Sequence, residues 1–142
     1  MRSERLQRII ELKERLMEEK ERLLDQHNRE LALIKSNIDN LDCSINSNYN
    51  ELCTRPLNGN EFSVIKNYLE YLNQARSNAL TQLGRMEAKI AAVRQELYDL
   101  LKEMKMLDAL KQRTLSAARK VDNRKQQKHL DEIALRLSSH KP

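Results

Sequence analysis

From Ala79 the apolar residues recur at Ala79, Leu83, Met86, Ile90, Val93, Leu97, Leu100, Met104 and Leu107, in alternating steps of four and three. That spacing keeps one seam of a helix turned toward a partner helix, so it specifies a coiled coil. Carried on, the same frame places Lys111, Thr114, Ala118, Val121, Lys125 and Lys128 on the seam, and three of those six are lysines. The pattern therefore predicts a helix that outlasts its partner and turns basic where it emerges.

Composition agrees with a line of buried contacts instead of a ball. The 142 residues include two Gly, two Pro, one Phe and no Trp, and 33% are charged, which fits long helices better than any globular class of this size. The charged start MRSERLQRIIELKER is unlike a signal peptide, and no run of about 18 apolar residues offers a membrane span. A cytoplasmic protein without direct membrane insertion is expected. Cys43 and Cys53 lie ten residues apart on one expected helix, too far along its axis to bond each other, and read as reduced thiols.

One stretch, Thr54-Arg55-Pro56-Leu57-Asn58-Gly59-Asn60, carries the strong punctuation. Pro56 disfavours helix at Arg55, Asn58-Gly59 is a turn pair, and Asn60 before Glu61 reads as an N-cap. A single coiled-coil domain over 1–142 follows, with a helix at about 3–54, a loop at about 55–60 and a helix at about 61–138. The expected fold class is all-α, an antiparallel two-helix coiled-coil hairpin whose second helix extends beyond the first. With the loop centred near Asn58, paired residue numbers total roughly 116, which sets Leu6 opposite Leu110. At about 1.5 Å per residue the helices would measure roughly 75 and 115 Å, leaving about 25 residues unpaired.

On the first helix the expected seam runs Leu6, Ile9, Leu16 and Leu23, interrupted by Lys13, Lys20 and His27, with Ile10, Leu12, Met17 and Leu24 widening the stripe to one side. It continues through Leu31, Ile34, Ile38, Leu41, Ile45, Tyr49 and Leu52, and resumes after the loop at Phe62, Ile65, Leu69 and Leu72. The lysine-interrupted half should be the less firmly zipped. Gly84 stands inside the second helix as either a close approach or a bend.

Catalytic patterns are absent: the three histidines are scattered, no glycine-rich phosphate loop exists, and the carboxylates are spread as helix-surface charges. We expect no enzyme activity, no cofactor and no metal. Two binding features remain. Tyr68 and Tyr71 lie one residue off the seam and three apart, so they share a flank, which Ile45 and Tyr49 should approach from the first helix; it is either a set of rings leaning over the seam or a docking patch. Residues 111–142 hold nine Lys or Arg against three acids, a net +6, whereas residues 1–110 have a net −1. Such a basic end suits an acidic protein surface or nucleic acid, and with no aromatic interleaving and no nucleic-acid motif the protein partner is favoured.

The string AARKVDNRKQQKHLDEIALR from Ala117 to Arg136 resembles the C-terminal signature of the FliJ family, a small coiled-coil component of the bacterial flagellar type III export apparatus. The matching residues are Asp122, Asn123, Arg124, Gln127, Lys128, Leu130, Asp131, Glu132, Ala134 and Arg136, and the Asn-Gly loop, the Asn67-Tyr68 pair and the length also fit. The resemblance implies a hairpin similar to the central stalk subunit of rotary ATPases, with its terminal end in the pore of the hexameric flagellar export ATPase. It implies contact with the membrane-embedded export gate protein and escort of late-substrate export chaperones, at the cytoplasmic face of the inner membrane. By that resemblance the ATPase-facing residues are Arg119, Lys120, Arg124, Lys125, Gln127, Lys128, Asp131, Glu132 and Arg136. The gate-facing ones are Leu41, Ile45, Tyr49, Tyr71 and Ala75, with Asn78 and Gln82 less well matched. Three other readings stay open: a stalk protein of a virulence injectisome, a coiled-coil nucleic-acid binder using the basic tail, and a helical chaperone cradling clients along its weakly zipped half.

Overall fold

A computed structural model describes residues 2–139 of the chain, with side chains from residue 3 onward. Two helices account for nearly all of them, α1 (Arg2–Thr54) and α2 (Gly59–Ser139), and the described residues include no strand. The chain is an all-α antiparallel helical hairpin. It divides into two compact units, residues 19–97 and residues 1–18 with 98–142.

Residues 19–97 contain the turn and the better-filled part of the core. Ile45, Leu69 and Leu72 are buried together, with Leu41, Leu52 and Ile65 packed against them. Farther from the turn, Ile38 from α1 and Ala79, Met86, Ile90 and Val93 from α2 are buried. The antiparallel register is fixed by two cross-helix ion pairs, Lys20 Nζ to Glu96 Oε2 at 2.6 Å and Arg76 Nε to Asp42 Oδ1 at 2.6 Å. Their residue numbers total roughly 116 and 118, the register set by a loop centred near Asn58.

The cap of α2 differs from the sequence expectation. Asn58, not Asn60, closes the helix start: its Oδ1 accepts from the Glu61 backbone N–H at 2.8 Å, and its carbonyl accepts from the Phe62 N–H at 3.0 Å. Asn58 therefore holds the N-cap with Glu61 at the third helical position, and Gly59 and Asn60 become helical. Asn58→Ala is expected to destabilise the fold by about 1 kcal/mol and Asn60→Ala by less than about 0.5 kcal/mol in denaturant titrations. Equal effects at the two positions would contradict this cap.

The seam of α1 also corrects the expectation. Within residues 19–97 the half-buried or buried side chains of α1 on the steps of three and four include Lys20, Leu24, His27, Leu31, Ile34, Ile38, Leu41, Ile45, Asn48 and Leu52. Tyr49 is 48% exposed and lies beside the seam. Asn48 occupies the position instead, its Nδ2 donating to the Ser44 carbonyl at 2.7 Å. Strict alternation explains this, because a step of four from Leu41 to Ile45 must be followed by a step of three. On α2, Arg76 fills the seam position between Leu72 and Ala79 and turns its guanidinium out to Asp42. Phe62, although in frame, is 50% exposed.

In the other unit the same alternation runs through Ser3, Leu6, Ile10, Lys13 and Met17, opposite Leu100, Met104, Leu107, Lys111 and Thr114. Ile10 is 3% exposed whereas Ile9 is 42% and Leu16 37% exposed, so Ile10 and Met17, expected to widen the stripe, form the seam, while Ile9 and Leu16 flank it and Leu12 stays exposed at 63%. Lys13 and Lys20 do hold seam positions. Each reaches across to a carboxylate on α2, Lys13 Nζ meeting Glu103 Oε2 at 2.7 Å. Lys111 Nζ donates to Gln7 Oε1 at 2.5 Å on the opposite flank. Half-exposed pairs of this kind add little stability, about 1 kcal/mol or less each, but a wrong register would leave the lysines against apolar side chains. His27 adds another polar layer, with a buried Nδ1 that has no hydrogen-bond partner and lies 3.7 Å from Glu30 Oε2.

Gly84 marks no close approach: a Cβ built there meets nothing within 4 Å, and its φ is not positive. Gly84→Ala should therefore stabilise the hairpin by about 1 kcal/mol through helix propensity alone. A loss of stability in a denaturant titration would reveal a constraint at this position.

Candidate partner-binding surfaces

The tail of α2 lies in the unit formed by residues 1–18 with 98–142, beyond the last pairing with α1. Thr114 and Leu115 are half-buried, and from Ser116 to Ser139 every side chain is exposed. Among the described residues no helix pairs with this segment, and the register sets Ser3 of α1 against Thr114. Arg119, Lys120, Arg124, Lys125, Lys128 and Arg136 therefore stand in water on one continuous helix, with Asp131, Glu132 and Gln127 among them. Gln127 Nε2 donates to Asp131 Oδ1 at 3.1 Å, one turn apart. The helix supplies spacing, and the unpaired cations supply a local positive potential.

The same segment has an apolar side that the sequence reading did not single out. Leu130, Ile133 and Leu137 are 58%, 39% and 64% exposed and recur at steps of three and four. They fall outside the seam frame carried over from Leu107, so following that frame hid them. The tail thus offers exposed cations spread around the helix and, toward its end, an apolar stripe, a combination suited to a partner that is acidic at its rim and apolar at its centre.

The second surface lies within residues 19–97. Tyr68 and Tyr71 stack with ring centroids 6.3 Å apart and planes 18° apart, and are 47% and 67% exposed. Tyr68 is one heptad from Glu61 and from Ala75, so this flank continues into the groove of about 380 Å³ near the turn, lined by Glu51, Arg55, Leu57, Asn60, Glu61, Val64 and Ile65. Tyr49 follows Asp42 by seven residues and so belongs to the flank marked by the Asp42–Arg76 pair, on the other side of the seam. The expected approach of Tyr49 and Ile45 to the Tyr68–Tyr71 flank is therefore not what the fold provides. Ile45 is 8% exposed in the core and Leu41 packs against it. Ala75 is half-buried beside the tyrosine flank. Of the five residues expected at one surface, Tyr71 and Ala75 share a flank, Tyr49 occupies the opposite one, and Leu41 and Ile45 hold the helices together.

Among the described residues no group of three or more His, Cys, Asp or Glu could hold a metal ion, and no helix is long and apolar enough to cross a membrane. Cys43 and Cys53 are free and exposed.

A family model described as Flagellar FliJ protein matches residues 1–142, the whole chain. The chain belongs to the FliJ family. Neither a curated protein nor a solved structure gives a significant match. FliJ proteins are structural components of flagellar type III export, so this chain associates with that export machinery. The resemblance of residues 117–136 to the family signature and the coverage of both helices point to the same place.

Proposed function

We propose that this FliJ-family chain is the stalk-like coiled coil of the flagellar export ATPase, promoting assembly and activity of the hexamer and linking it to the export gate and to late-substrate chaperones. The observation that carries this reading is the unpaired, uniformly exposed basic end of α2, residues 116–139. A single helix inside a six-fold ring cannot make six equal contacts. It therefore binds some subunits in one conformation more tightly than others and biases them toward different nucleotide states.

In this reading Arg119, Lys120, Arg124, Lys125, Gln127, Lys128, Asp131, Glu132 and Arg136 contact the ATPase, and the exposed Leu130, Ile133 and Leu137 supply apolar contacts. The gate is met through Tyr71 and Ala75 on the tyrosine flank. Tyr49 reaches a gate only if the partner wraps to the opposite flank, and Leu41 and Ile45 act by holding the helices in register. The protein works at the cytoplasmic face of the inner membrane and makes or breaks no covalent bond.

The test is ATP hydrolysis by the flagellar export ATPase of the same organism, with and without this chain, at two salt concentrations. Stimulation with hexamer formation, weakening as salt rises, is expected. No stimulation and no association, with salt-sensitive binding to DNA in the same samples, would replace this reading by the nucleic-acid one.

A further inference from the structure

The unit formed by residues 1–18 with 98–142 carries an apolar patch that neither the hairpin seam nor the basic tail uses. Ile9, Leu12 and Leu16 on α1 are 42%, 63% and 37% exposed, and Met106 and Leu110 on α2 are 72% and 48% exposed. Ile9 and Leu110 line one groove of about 310 Å³ between the helices, together with Arg5, Leu6 and Thr114. Leu12 and Leu16 follow Ile9 at helical steps of three and four, and Met106 precedes Leu110 by four, so all five side chains share one flank. Glu103, one heptad before Leu110, stands on the same flank with its carboxylate paired to Lys13 Nζ, so the exposed apolar side chains surround an ion pair that is already neutralised, and such solvent-facing clusters mark a contact surface.

The charges around the patch identify its occupant. Along the same row of α2, Asp99 and Arg113 stand seven residues to either side of Met106, both exposed. A second copy turned end for end about an axis through Met106 brings Met106 onto its counterpart and Asp99 opposite the counterpart of Arg113, twice by symmetry. The register sets Met106 level with residue 11 of α1, so the same operation brings Leu12 near its own counterpart and Ile9 within one helical turn of the counterpart of Leu16. A parallel pairing would oppose Asp99 to Asp99 and Arg113 to Arg113. We propose that this flank is a self-complementary interface through which two copies of the chain associate antiparallel in solution, forming a four-helix assembly with a two-fold axis at Met106. The proposal does not depend on the ATPase reading, since it concerns the free protein.

Sedimentation equilibrium of the full chain tests it. A reversible monomer–dimer equilibrium with a dissociation constant in the micromolar range is expected, as an interface of modest area gives. Asp99 also has a contact within its own chain, so the decisive readout is a mixture and not a single variant. Asp99→Arg and Arg113→Asp should each weaken self-association by about tenfold or more, because each opposes like charges twice. Mixed together, the two variants restore both opposite-charge pairs and should form a heterodimer within about threefold of the native affinity. Met106→Glu should leave helix content intact by circular dichroism and abolish the dimer. A chain that stays monomeric into the hundreds of micromolar, single variants that dimerise normally, or a mixture that fails to recover would each overturn the proposal.

Discussion

Replacing Arg119, Lys120, Arg124 and Lys125 by glutamate should leave the chain as helical as before and remove the stimulation of the export ATPase proposed for it. The four reversals turn the formal charge of residues 111–142 from +6 to −2. All four side chains are exposed, so no packing is lost, and glutamate is about as good a helix former as the residues it replaces. The substituted segment lies several turns from the end of α2 at Ser139, so the helix dipole opposes the new acids only weakly. Like charge brought against an acidic partner surface costs several kcal/mol, enough to lower stimulation by at least about tenfold at matched concentration. A quadruple variant that stimulates hydrolysis as well as the native chain would remove the basic end from the mechanism. Replacing Tyr71 by Ala should spare stimulation and weaken gate binding, so the two measurements separate the two surfaces.

Ile10→Ala should destabilise the unit that contains it by about 2–4 kcal/mol, whereas Ile9→Ala should cost less than about 1 kcal/mol. The neighbours have the same chemistry and differ in place: Ile10 is 3% exposed and Ile9 42%. Removing three carbons from Ile10 forfeits buried area and leaves a gap in the contact between the helices. The check is the denaturation midpoint by far-ultraviolet circular dichroism, at concentrations low enough to suppress self-association. Equal costs at the two positions, or the larger cost at Ile9, would mean that α1 pairs in the other frame. Met17 and Leu16 repeat the contrast one heptad on.

These comparisons separate what is legible in the chain from what is not. The seam of α2 from Ala79 to Leu107, the Pro56–Asn58–Gly59 turn, and the antiparallel pairing and its register follow from periodicity and punctuation alone, because each depends on spacing along one helix or on the length of one loop, whereas pairing runs on past Leu107 through Lys111 to Thr114. The basicity of the tail is equally legible, since it is a count of charges along the chain.

The frame of α1 required its partner. Ile9-Ile10, Leu16-Met17 and Leu23-Leu24 are adjacent apolar pairs one heptad apart, so two frames offset by one residue are almost equally apolar in sequence. Only packing against α2, and the alternation running on through Leu24, His27 and Leu31, selects Ile10 and Met17. The same cause moved Tyr49 off the seam and away from Tyr71, since a step of three and a step of four lead to opposite sides of the contact. The cap was decided by geometry that composition does not reveal: two asparagines were available, and the one three residues before Glu61 could close the helix with both its side chain and its carbonyl. Sequence by itself thus determined that two helices pair and in which direction. Tertiary structure decided which of two neighbouring residues faces inward, because that choice is made by the opposing helix and not by the pattern.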